Sequence, residues 1–131
     1  MISPFHLVAH KATFLADVTN FQRNHPEAWG SFATQCAKAC NDPYNTGGRL
    51  QGLPPHLAGK VRKVWVKGRR GFRFIYFLDA DRELIVGVTL SSESRGSFDY
   101  DDPVWMDRAE LIYQDLVEGR AEAFITLRLA E

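Results

Sequence analysis

Eight basic side chains fall in a stretch that contains no acid. Between Pro43 and Leu78 the chain carries Arg49, Lys60, Arg62, Lys63, Lys67, Arg69, Arg70 and Arg73, with no Asp or Glu. From Phe98 to Glu118 the balance reverses. Asp99, Asp101, Asp102, Asp107, Glu110, Asp115 and Glu118 stand there against Arg108 alone. A one-sided basic segment is the footprint expected for a nucleic-acid backbone, with cations against phosphates. The alternative is that the acidic segment folds over the basic one and neutralises it.

The basic residues need a frame, and alternation supplies one. Gly71-Phe72-Arg73-Phe74-Ile75-Tyr76-Phe77-Leu78 reads as a strand with Phe72, Phe74, Tyr76 and Leu78 on one face. Arg73, Ile75 and Phe77 make the other. Both faces are mostly apolar, so the strand is expected inside a sheet covered on both sides. Arg73 is the exception. A guanidinium stays charged, so it must meet water, an outside anion or one of the chain's own carboxylates. The next strand, from Glu83, alternates Leu84, Val86, Val88 and Leu90 against Ile85, Gly87 and Thr89. Gly87 lacks bulk, which predicts a shallow spot where a ligand could come close. The preceding strand, Lys60 to Lys67, places Val64 and Val66 on one face and Lys63, Trp65 and Lys67 on the other. An aromatic between two lysines could stack a base while the lysines hold phosphates. An edge strand with solvated charges has the same pattern. The RNA-binding candidates are therefore Lys60, Arg62, Trp65, Lys67, Arg69 and Arg70.

Composition sets the outer limits. The 131 residues, 45% hydrophobic and 24% charged with zero formal net charge, suit one soluble domain with a real core. No apolar run reaches membrane-span length, and no leader peptide is recognisable, so a cytoplasmic chain without a membrane partner is expected. Cys36 and Cys40 lie four apart, one helical turn, which suits a shared helix face better than a disulfide. His6, His10, His25 and His56 supply no compact ligand motif, and no metal or cofactor is expected.

The remaining elements follow in order. Pro4 to Ala9 is a strand candidate. A helix is expected over Lys11 to Arg23 with Phe14, Leu15, Val18 and Phe21 inward. Asn24-His25-Pro26 breaks it. Pro26 suits the first turn of a second helix, which carries Trp29, Phe32, Cys36 and Cys40 and stops near Asn41-Asp42-Pro43. Tyr44 to Gly59 reads as a loop pinned by Leu50, Leu53 and Leu57. Asp102-Pro103 opens a third helix, with Trp105, Ala109, Ile112 and Leu116 as its buried stripe and Gly119 as its end. Ala121 to Leu129 could add a last strand.

This order, together with Leu50-Gln51-Gly52-Leu53-Pro54, the basic strand, Gly71-Phe72-Arg73-Phe74-Ile75-Tyr76, Ile85 to Leu90, and Arg95 with Tyr100, resembles the RelE/ParE superfamily of bacterial toxins. The resemblance spans residues 5 to 105. It implies an α+β fold: an N-terminal helical hairpin packed on a small, mainly antiparallel twisted sheet. Residues 1–131 would be a single domain, with 103–131 as a C-terminal extension supplying a helix and an extra strand. It also implies a toxin held silent by a cognate antitoxin, which cuts mRNA on the ribosome without a metal. Arg73 would clamp the scissile phosphate, Arg95 would be a second cation, Tyr100 a stacking or proton-transfer group, and Lys63 a basic-strand lysine. The turn Lys67 to Gly71, the close spacing of Arg95 and Tyr100, and the acids flanking Tyr100 depart from the family pattern. ParE-like members keep the fold without the nuclease set and act on gyrase. A non-catalytic binding protein, toxic or not, is therefore the alternative, and a homodimer stays open.

Overall fold

Apolar alternation in the central strands and helical spacing on either side dictate three layers. The computed structural model describes residues 4–50, 52–68, 71–92 and 103–129. Strand β1 (His6–His10) leads into helix α1 (Leu15–Asn24), and Pro26 opens α2 (Pro26–Asn41) at a position where its missing N–H has no intrahelical partner to lose. The short strand β2 (Gly48–Arg49) follows, then β3 (Val61–Val66), β4 (Phe72–Asp79) and β5 (Leu84–Ser92). Helix α3 (Pro103–Val117), a 3₁₀ turn at Ala121–Ala123 and strand β6 (Phe124–Thr126) complete the order.

The six strands lie in the order β2-β3-β4-β5-β1-β6. All neighbours are antiparallel except β1 and β5, which run parallel with Leu7 beside Ile85. The α+β architecture anticipated from the sequence is the one observed. The tail contributes its strand by pairing with β1, and β2 inside the Gly- and Pro-rich loop was not anticipated.

The two faces of β4 bury different layers. Phe72, Phe74, Tyr76 and Leu78 pack against Phe14, Phe21, Phe32 and Cys36 of the helical hairpin. Phe21 meets Phe72 edge-on at 4.9 Å between centroids, and Phe32 meets Phe74 at 5.1 Å, the geometry that aromatic quadrupoles favour. On the reverse face Ile75, Phe77, Val86 and Val88 meet Trp105, Ala109, Ile112 and Leu116 of α3. Burying side chains of this size contributes roughly 1.5–3 kcal/mol each. The half-exposed pairs in and just after α3, Glu110 with His56 and Glu118 with Arg120, are each worth about 1 kcal/mol or less. Burial therefore holds α3, and residues 103–129 supply one wall of the core.

One inserted residue changes the faces of β5. Ile75 pairs with Thr89 and Tyr76 with Gly87, so Val88 is an extra residue in a β-bulge. Beyond it Thr89 turns to the α3 face and Leu90 to the hairpin core, the reverse of strict alternation. Gly87 offers no shallow ligand spot. It lies on the face opposite Arg73, and the ring of Phe14 fills the space where its Cβ would be.

Candidate nucleic-acid interface

Strand pairing brings three of the expected residues to one face. Trp65 pairs with Arg73 and Lys63 with Ile75 across β3 and β4, and all three side chains share the α3 side of the sheet. The Arg73 guanidinium carbon lies 5.0 Å from the centroid of the Trp65 ring, a cation–π contact. Arg73 is half-buried, whereas the indole is 45% exposed. The ring covers Gly71, where any Cβ would collide with it. Glycine before Phe72 thus leaves the room that the indole occupies beside the arginine. Lys63 is half-buried one pleat repeat, about 7 Å, along β3. A cation across the sheet from an aromatic face and a second cation along the strand from it are the parts needed to hold a phosphate and stack an unpaired base.

The other basic candidates divide. Lys67 is exposed just past β3, and its backbone N–H donates to Ser31 Oγ at 3.0 Å. Lys60 lies before the start of β3, with its ammonium 5.2 Å from the Tyr113 ring of α3. Arg62 is on the hairpin side and only 5% exposed. Its Nε donates to Thr46 O at 3.1 Å and its Nη2 to Tyr44 O at 2.9 Å. An RNA contact by Arg62 would require it to leave both carbonyls. Tyr76, the tyrosine of the Gly-aromatic-Arg strand, also faces away from Arg73 and donates to Thr46 O at 2.9 Å. Burial pushes its phenol up to about 12, against the opposing pull of Arg62. Arg62 and Tyr76 together tie down the loop that carries β2. Arg69, Arg70, Arg95 and Tyr100 lie outside the described residues.

This arrangement of hairpin, sheet and strand order has a counterpart. The structure of the E. coli toxin RelE, in a doubly Arg-to-Ala substituted form in the free state, superposes with a TM-score of 0.58. The match covers 83% of this chain and 98% of that one, at 10% sequence identity. The fold is RelE-like. No protein-family model matches the chain, and no curated protein matches it.

Three features of this RelE-like frame were not legible as a site. Arg108 of α3 reaches past the end of β1. It bonds the carboxylate of Asp17 on α1, and its Nη1 also donates to Val88 O at 3.2 Å. A bulge leaves backbone groups outside the ladder, and Arg108 satisfies one of them. His10, 2% exposed, bridges Asp115 Oδ2 at 2.6 Å and Thr13 Oγ1 at 3.1 Å, fastening α3 to β1. The acids of α3 and Glu118 just after it do not converge on the basic strand as a group: Asp115 meets His10, Glu110 meets His56 and Glu118 meets Arg120.

The thiols belong to packing. Cys36 is buried against the aromatic layer, and burial raises its thiol well above the ordinary range. Burial likewise lifts Cys40 to about 11. Neither is poised as a thiolate at neutral pH. Among the described residues no three His, Cys, Asp or Glu side chains gather as metal ligands, and no helix is long and apolar enough to cross a membrane.

Proposed function

We propose that the chain is the toxin of a toxin–antitoxin pair and cleaves mRNA on the ribosome through the face carrying Lys63, Trp65 and Arg73. The observation behind this reading is the stacked Trp65–Arg73 pair at the solvent-facing end of a RelE-like sheet. The reaction needs no group beyond side chains and the RNA itself. A ribose 2′-hydroxyl attacks the adjacent phosphorus, the 2′-O–P bond forms, and the P–O5′ bond breaks. The 2′ proton goes to a base, and an acid returns one to the departing 5′-oxygen.

Arg73 supplies fixed N–H donors where charge builds on the phosphate oxygens. Lys63 is the second cation on the same face. Trp65 stacks a neighbouring base. By family resemblance Arg95 completes the cation set and Tyr100 serves stacking or proton transfer. A cognate antitoxin would silence the protein by covering this face.

A non-catalytic reading has one observation in its favour. Helix α3 already covers the part of the same face formed by Ile75, Phe77, Val86 and Val88, which narrows the open area to the Trp65 end. Inducing the protein in a bacterium and mapping mRNA 5′ ends separates the two. New 5′ ends inside reading frames support the nuclease. Growth arrest with intact mRNA supports a binding toxin.

A further inference from the structure

The two edges of the sheet are built differently. The β2 edge is two residues long and carries Arg49. The β6 edge is Phe124-Ile125-Thr126, without charge, proline or bulge, the devices that normally guard an edge. β6 lies on β1 with Val8 beside Thr126, Ala9 beside Ile125 and His10 beside Phe124. Lys11 N–H donates to Ala123 O, and Leu127 N–H donates to Leu7 O. Amides alternate in direction along an antiparallel ladder. Residues 123, 125 and 127 are therefore spent on β1, and Thr126 presents its N–H and C=O outward; Phe124 presents its C=O, while its N–H donates to Ala121 O in the 3₁₀ turn. Among the described residues no further strand lies beyond β6. Ile125, between Phe124 and Thr126, is 42% exposed.

We propose that β6 pairs antiparallel with β6 of a second copy of this chain across a two-fold axis, joining the two sheets into one. An isologous contact must match itself, and this edge does. With Ile125 on the axis, Thr126 N–H of each copy donates to Phe124 O of the other, while each Phe124 N–H stays on Ala121 O. The two Ile125 side chains then form a non-hydrogen-bonded pair, the closer kind, and cover one another. In this register the exposed Glu122 of one copy lies toward the exposed Arg128 of the other, and the reverse. Charge complementarity therefore favours a second copy. The contact is small, so the dimer is weak and exchanges readily.

The test is sedimentation velocity on the full chain from low to high micromolar loading, with wild type and Thr126→Pro side by side. Thr126 N–H points away from β1, so proline there removes an outward donor and leaves the internal ladder intact. Wild type is expected to shift toward twice its monomer mass as loading rises. Thr126→Pro is expected to stay monomeric with an unchanged circular dichroism spectrum. A second measurement covers the chance that proline disturbs the fold. Ile125→Cys should close a symmetric disulfide under mild oxidation, because non-hydrogen-bonded pairs fall within disulfide span. Val117→Cys, exposed on α3, should not. Wild type that remains monomeric at every loading, a dimer that survives Thr126→Pro in folded form, or equal cross-linking at 125 and 117 would each overturn the proposal.

Discussion

Arg73 and Trp65 are direct cross-strand partners, and the guanidinium carbon sits 5.0 Å from the indole centroid. The contact orients a permanent charge at the exposed end of the sheet. An exposed cation–π pair is worth only about 0.5–1 kcal/mol, too little to account for the fold. Trp65→Ala is expected to lower the unfolding free energy by about 1–3 kcal/mol in urea, most of it from the buried half of the ring. Growth arrest on induction should nevertheless weaken clearly, and Trp65→Phe should retain part of it. A loss of stability without a loss of arrest would make the pair structural.

Gly71 tests the same relationship from the backbone. A Cβ there meets the indole, which is half-exposed and free to swing outward. Gly71→Ala should displace the ring and mimic Trp65→Ala in the arrest assay, with a stability change within about 1 kcal/mol. Tryptophan fluorescence should report the move as a red shift.

Arg108 is expected to matter more for stability than the exposed Lys67 after the basic strand. It joins Asp17, the bulge carbonyl of Val88 and α3 while only 23% exposed. Arg108→Ala strands those acceptors and should cost about 1–3 kcal/mol in urea unfolding. Arg108→Lys keeps the charge without the planar fork and should recover less than half of that loss.

Alkaline stability should fall in a defined window. The Tyr76 phenol is raised from 10.0 to about 12, and the Cys40 thiol from 9.0 to about 11. A raised folded value favours the protonated, neutral form in the folded chain. The associated stability is fully present below about pH 9 and is lost as pH rises through 11 to 12. Melting temperature measured from pH 8 upward should decline across that range. Tyr76→Phe should flatten the decline, although it starts lower for want of the bond to Thr46.

How much of this was legible depends on parity. The faces of β4 were readable because both are apolar and regular. The same rule contained a signal about Arg62: it shares parity with Val64 and Val66, so its side chain belongs to the buried face, where it now holds Tyr44 O and Thr46 O. Lys63, Trp65 and Arg73 have the opposite parity and do share a face. The bulge at Val88 could not be read, since one extra residue reverses every later side chain without a mark in composition. Nor could the space at Gly87 be read as filled, because Phe14, just before α1, is distant in sequence. Pairs such as Arg108 with Asp17 and His10 with Asp115 join residues 91 and 105 positions apart, beyond any local pattern.

The central claim is that the charge at position 73 acts on RNA. The most direct measurement is mRNA 5′-end mapping after induction of wild type and Arg73→Ala at matched soluble levels. Removing one preorganised donor to a developing phosphate charge is expected to reduce cleavage about 100- to 1,000-fold, with growth restored and the circular dichroism spectrum unchanged. Undiminished cleavage and arrest by the folded Arg73→Ala protein would contradict the account.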